Sequence, residues 1–119
     1  MDDMNIAYDN IRASTVQGTK VYNHQNESLG SIEDVVIGKR DGRAKYAIMS
    51  FGGFLGIGEE YHPVPWDQLT YDTDKGGYVV SLTKEQLEGA PRYASGSEPN
   101  YGDRAYNDQV YSYYGSTYQ

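Results

Sequence analysis

Short apolar runs separated by turn residues predict a β-rich domain between residues 19 and 82. The runs are "TKVYN", "SLGSIEDVVIG", "AKYAIMSF", "EEYHPVPW", "DQLTYD" and "GYVVSL". Asp41-Gly42 predicts a tight hairpin between the second and third runs, because this pair tolerates positive φ angles. Pro63 and Pro65 place the fourth run at a sheet edge or a strand end, because proline has no N–H to donate. Strands this short, with a turn signal about every ten residues, favour a small barrel or sandwich.

A helical signal follows the last predicted strand. Thr83 and Gln86 fit a capping box, in which each side chain bonds the backbone N–H of the other residue. Gly89 is the predicted C′ residue, and Pro91 lies just beyond it. The sequence therefore predicts one to two turns of helix, with Leu87 packed against the barrel.

The chain divides into three parts by composition. Residues 1–17 form an N-terminal extension in which "STVQG" predicts a short helix, 18–92 form the barrel, and 93–119 form a tail. Seven of the thirteen tyrosines lie in the tail. The tail segment "RAYNDQVYSYYG" predicts a short helix that presents on one side Tyr106, Val110 and Tyr113 or Tyr114. Because a helix of this length is unstable alone in water, the tail either is disordered or folds against something.

The charge and composition of the chain narrow the classes of function. A net charge of −7 disfavours binding to nucleic acid or to anionic membranes. No run approaches the roughly 20 apolar residues of a membrane span, and no secretory signal is present, so we expect a cytoplasmic protein without membrane insertion. Basic residues do cluster in "GKRDGRAK", which we interpret as an exposed hairpin tip. An RNA contact through Arg40 and Arg43 is the alternative.

The glycine-rich segment "FGGFLGIGEEYHPVPWDQL" at 51–69 allows three interpretations. A phosphate-binding loop is excluded because no helix follows the glycines and Glu59 and Glu60 would repel an anion. A metal- or ligand-dependent regulatory site would use Glu60, His62 and Asp67, but one face of a strand supplies only two of these ligands. No nucleophile–base arrangement is apparent, so the sequence predicts neither an enzyme nor a bound cofactor.

The third interpretation is an apolar contact surface. Exposed Phe54, Leu55 and Ile57 need a cover, which is either the barrel itself or a partner protein. Trp66 is either a core residue or a further apolar anchor. We also predict that four tail tyrosines cover the barrel edge of a neighbouring molecule: Tyr106, Tyr111, Tyr113 and Tyr114. The alternative is a solvated tail.

The order of these motifs resembles the PRC-barrel domain, in its stand-alone bacterial form. The residues that carry the resemblance are Gly18, Val21, Leu29, Gly30, Ile32, the strand 46–51, Gly52, Gly53, Phe54, Leu55, Gly56, Val64, Pro65, Trp66, Leu69, Leu87 and Pro91. The same small β-barrel occurs in the cytoplasmic part of the photosynthetic reaction-centre H subunit and in the C-terminal domain of the ribosome maturation factor RimM. The resemblance implies an all-β, partly open barrel that contacts other proteins without catalysis. Roles in photosynthetic complexes or on the ribosome remain analogies of fold.

We expect the chain to form a homodimer through the glycine-rich tip. Replacing Phe54 and Leu55 together with Ser should weaken self-association and leave the fold intact, because each buried large apolar side chain contributes roughly 1.5–3 kcal/mol. Equilibrium sedimentation measures the association. A monomeric unmodified chain at high micromolar concentration would contradict the dimer, and unfolding of the double variant would place the tip in the core.

Overall fold

The computed structural model describes residues 10–51, 60–94 and 96–118 of the chain. These residues form one open sheet of seven strands in the order β5-β6-β1-β2-β3-β4-β7. The strands are β1 Lys20–Tyr22, β2 Ser28–Ile37, β3 Ala44–Phe51, β4 Glu60–Pro65, β5 Thr70–Asp72, β6 Gly77–Val79 and β7 Tyr93–Ala94. The helices are α1 Ala13–Val16, α2 Lys84–Glu88 and α3 Arg104–Tyr113, and Trp66–Gln68 form a 3₁₀ turn. The predicted fold, a small partly open barrel with a C-terminal helix, is confirmed.

The hairpin of β2 and β3 forms the centre of the sheet. The chain turns at Asp41-Gly42 as predicted, with φ 72° at Gly42, but Asp41 does not have a positive φ. Residues 38–43 form a loop longer than a tight hairpin turn, closed by a 2.9 Å bond from Gly38 N–H to the Arg43 carbonyl. On one side β2 pairs with β1, which in turn pairs in parallel with β6. On the other side β3 pairs with β4 along the whole of β4.

The two prolines of β4 lie beyond the part of the strand that pairs with β7. Strand β7 pairs with β4 only at Glu60 and Tyr61. Pro63 and Pro65 therefore have one neighbouring strand, β3, among the strands that the structure describes. The predicted edge position of this segment is confirmed for its second half.

The core lies on both faces of β3. Four successive residues of this strand, 46–49, are all buried. Side chains of a strand alternate between faces, so a strand with one exposed face cannot give this pattern. The other core members come from every part of the described chain and include Val21, Ile32, Val64, Val80, Leu87 and Val110, each no more than 1% exposed.

Helix α2 confirms the predicted capping box. Thr83 Oγ1 accepts from Gln86 N–H at 3.0 Å, and Gln86 Oε1 accepts from Thr83 N–H at 2.9 Å. Leu87 is completely buried, as predicted. Gly89 ends the helix with φ −86°, not with the left-handed backbone common at such positions. A Cβ at Gly89 would lie 3.3 Å from the Tyr113 hydroxyl, so the absent side chain makes room for α3.

The two other helices also lie where the sequence predicts helical turns. Helix α1 begins near "STVQG" and buries Val16 against the sheet. Helix α3 forms within the tail, which is ordered on its own barrel through residue 118. None of the helices in the described part of the chain is long and apolar enough to cross a membrane.

Among the described glycines, Gly30 leaves the least room for a side chain. It has φ 155°, and a Cβ placed there would lie 2.0 Å from the Ser50 carbonyl oxygen on β3. Gly30→Ala must therefore push β2 and β3 apart, and we expect it to lower the free energy of unfolding by roughly 1–3 kcal/mol or more. Urea denaturation measures this change.

Gly42→Ala is the matched control, because Gly42 has φ 72° and open space around its Cα. It should cost only backbone strain, roughly 1–2 kcal/mol. A loss of stability for Gly30→Ala no larger than for Gly42→Ala would contradict the close approach of the two strands.

Candidate interaction site

Helix α3 is held at its start by Asp103 and buries one side against the barrel. The Asp103 carboxylate accepts from the N–H of Ala105 at 3.0 Å and of Tyr106 at 3.4 Å, which satisfies the free donors of the first turn. The buried residues are Asn107, Val110 and Tyr111. These positions are three and four residues apart, so they share one face of the helix.

Three hydrogen bonds join this face to the sheet and to the preceding loop. Tyr46 Oη donates to Asn107 Oδ1 at 2.7 Å, and Asn107 Nδ2 donates to the Tyr101 carbonyl at 2.8 Å. Tyr111 Oη donates to the Lys45 carbonyl. Burial of these groups disfavours their charged forms, so the pKa of Tyr46 is raised and that of Tyr111 rises to about 12.

Aromatic packing around Tyr46 accompanies these bonds. Its ring centroid lies 5.5 Å from that of Tyr101, 5.3 Å from that of Tyr111 and 6.5 Å from that of Tyr118. Such ring pairs contribute about 0.5–1.5 kcal/mol each beyond the area that they bury. The tail thus covers the face of β3 that carries Tyr46.

A cavity of about 190 Å³ opens where the tail meets the barrel. Its lining residues are Arg43, Ala44, Lys45, Trp66, Asp67, Tyr111 and Thr117. Lys45 Nζ lies 2.6 Å from Asp41, and Asp67 accepts from Ser116 Oγ at 3.0 Å. The guanidinium of Arg43 has no carboxylate of the described residues within 4.0 Å. We call this cavity, lined by aromatic and charged side chains, the junction cavity.

Trp66 packs partly against the core, and its predicted role as an apolar anchor stays a prediction. Its ring packs against the core at 5.6 Å from that of Tyr78, and it also lines the junction cavity. Tyr111 is the second predicted contact residue at this cavity. The structure therefore brings together two of the predicted interaction residues from distant parts of the chain.

The other predicted interaction residues do not join the cavity. Tyr106 is partly buried beside Tyr101, Tyr114 is buried, and Tyr113 is 44% exposed with its hydroxyl bonded to the Gln86 carbonyl at 2.6 Å. The tail contacts its own barrel, and its predicted contact with a neighbouring molecule stays a prediction. Phe54, Leu55 and Ile57 lie outside the described residues.

Asp67 lies apart from the other two side chains of the alternative metal site. Glu60 forms an ion pair with Arg92 at 3.0 Å, and Asp67 faces the junction cavity. His62 is buried next to a different cavity, lined with Glu60 and Arg92. No group of three or more His, Asp or Glu side chains in the described ranges could hold a metal ion.

Arg43 and Asn107 are the residues of this site that sequence reasoning missed. Arg43 lies in the basic sequence "GKRDGRAK", which predicts an exposed hairpin tip. No neighbouring residue in the sequence indicates that Trp66 approaches Arg43. Asn107 lies three residues before Val110 and four before Tyr111, and this spacing could have indicated a buried position.

Two comparisons with known proteins bear on this site. The sequence profile of the family described as "PRC-barrel domain" matches residues 9–87, which leaves the tail outside the match. A protein of Deinococcus radiodurans described as "Uncharacterized protein" is 26% identical over 93 residues, which is 78% of this chain. The chain spans 30% of the length of that relative.

Replacing Asn107 tests how the tail is held. Asn107→Leu leaves the buried Tyr46 hydroxyl without its partner, and we expect the free energy of unfolding to fall by about 1–3 kcal/mol. Adding Tyr46→Phe removes the stranded hydroxyl and should restore part of the loss. Urea denaturation of both single variants and the double variant gives the coupling. Strictly additive losses would contradict a stabilising bond between the two side chains.

Proposed function

Because the chain belongs to the PRC-barrel domain family, whose profile covers residues 9–87, we propose that it is a non-catalytic protein–protein interaction module that self-associates. In this proposal the module acts in the cytoplasm, with no cofactor and no chemical step of its own. The tail adds to the family domain a surface that the barrel alone lacks.

The junction cavity is the observation that carries this proposal. It places Trp66, Tyr111 and Arg43 around one opening. These three residue types dominate binding hot spots, because each combines a large contact area with a polar group. A partner side chain that enters the opening would contact both aromatic rings and a cation.

The charges at the cavity favour an acidic side chain on the partner. Lys45 is engaged by Asp41, and Asp67 by Ser116, whereas Arg43 has no described carboxylate within ion-pair distance. A guanidinium can bind a carboxylate through two parallel hydrogen bonds, which fixes the orientation of the partner. We therefore propose that an Asp or Glu of the partner binds Arg43.

A second copy of the chain meets this requirement. The chain has 17 acidic residues against 10 basic ones, so its surface offers many carboxylates to the cavity of another molecule. Ile37 adds apolar area beside the cavity, because it is 51% exposed and pairs across the hairpin with Ala44, a lining residue. Side chains of such a pair lie on the same face of the sheet.

Reversing the charge of Arg43 tests the proposal. Arg43→Glu should raise the dissociation constant of self-association at least tenfold, because a partner carboxylate would meet a like charge. Arg40→Glu is the matched control, since it makes the same charge change in the same hairpin outside the cavity lining. Equilibrium sedimentation of the three proteins measures the effect.

The same pair of variants separates the alternatives. Equal weakening by both changes would attribute the association to the charge of the whole hairpin and would contradict a role for the cavity. Salt-sensitive RNA binding that both changes abolish would instead support the RNA-associated alternative. The chain could instead stay monomeric and capture a protein from its host, with capture lost only for Arg43→Glu. This result would support the interaction module and contradict self-association.

A further inference from the structure

His62 is a buried histidine without hydrogen-bond partners. It lies in the middle of β4, its side chain is 1% exposed, and neither ring nitrogen has a partner among the described residues. A neutral imidazole carries one donor and one acceptor, and most buried polar groups in proteins are paired. The burial of this unpaired imidazole therefore lowers the free energy of unfolding.

The groups around His62 come from three parts of the fold. The ring of Phe51 on β3 stands edge-to-face with the imidazole, with centroids 5.7 Å apart. Helix α2 contributes the Leu87 carbonyl near the ring and the Glu88 side chain in the adjoining cavity of about 250 Å³. Arg92, just after α2, bonds the Glu60 carboxylate at 3.0 Å and the Glu88 carbonyl at 2.9 Å.

These surroundings oppose a positive charge on His62. Burial lowers the pKa of the imidazole first, and the positive charge of Arg92 lowers it further. Glu60 and the Leu87 carbonyl act in the opposite direction. Glu60 is already neutralised by Arg92, and the Leu87 carbonyl makes no hydrogen bond of acceptable geometry, so neither provides a proper partner for an imidazolium.

A protonated His62 gains most by reaching water. One route to water is the separation of α2 and Arg92 from β4, because Glu88 of α2 and Arg92 line the cavity next to the ring. Strand β7 follows Arg92 directly and pairs with β4 at Glu60 and Tyr61. The tail continues from β7 into α3, so separation at this corner also loosens the attachment of the tail.

We propose that His62 is an acid-sensitive latch, whose protonation opens the corner formed by β4, α2 and β7 and loosens the tail that follows. The proposal concerns the fold itself and does not depend on which partner binds the junction cavity.

The direction and size of the effect follow from proton linkage. The folded-state pKa lies below the ordinary value of about 6.5, so the open form binds the proton more tightly. The closed form has its full stability above that value and loses stability as the pH falls from there towards the lowered pKa. Between pH of about 7.5 and about 5.5 the population of the open form should rise, by up to about tenfold.

Hydrogen exchange tests the proposal, because the chain has only two histidines. Protection factors, corrected for intrinsic exchange, should fall for the amides of α2, β7 and α3, by up to about tenfold, when the pH is lowered over this range. His62→Phe should remove this loss, and His62→Met serves where Phe does not fit. His24→Gln should keep it, because His24 is exposed and its ring bonds Ser81 at 2.9 Å.

Nuclear magnetic resonance of the His62 ring gives an independent readout. We expect the His62 imidazole of the folded chain to stay neutral below the ordinary midpoint. A His62 that titrates at the ordinary midpoint in an unchanged fold would overturn the proposal. So would protection factors that do not fall in the unmodified chain, or that fall equally in the His62 variants.

Discussion

The tail packs over Tyr46: the tail buries this side chain, and contacts with the barrel keep the tail ordered. Strand β3 buries successive residues on both of its faces, and the barrel strands can cover only one face. The tail covers the other, where Tyr46 is completely buried against Asn107 and a group of tyrosines. The tail in turn has few aliphatic side chains, so it is ordered by aromatic contacts and by hydrogen bonds to the barrel. The family domain and its extension thus form one core.

Local sequence signals predicted strands, turns and helices. They do not predict contacts between residues that lie far apart in the chain. The Asp41-Gly42 turn and the capping box at Thr83 are read within four residues, and both occur at the predicted positions. Docking of the tail onto its own barrel depends on pairs such as Tyr46 with Asn107, which are 61 residues apart. A two-residue strand such as β7 leaves no periodic pattern at all.

Two residues of the candidate site were predicted from the sequence, but their arrangement was not. Trp66 and Tyr111 were identified as contact residues from their type, because large aromatic side chains are common at interfaces. Their approach to Arg43 depends on how the β2–β3 hairpin twists towards the 3₁₀ turn after β4, which no sequence spacing encodes. The same limit applied to the metal alternative. Glu60 lies close to His62 in the sequence, but Arg92 arrives from beyond α2 and occupies its carboxylate.

Two buried polar groups carry an energetic cost in the described part of the fold. His62 on β4 and the Tyr114 hydroxyl at the end of α3 are both buried without partners among the described residues. Each such group costs about 1–3 kcal/mol, whereas the central β2–β3 hairpin carries regular pairing along most of its length. Local opening follows the regions with the least net stabilisation. Motion of this domain should therefore begin near His62, where β4 meets α2, and near Tyr114 at the end of α3. The junction cavity, bounded by Tyr111 of the tail, lies beside Trp66 at the other end of β4. A partner bound in that cavity would stabilise the tail, because it binds the closed form and not the open one.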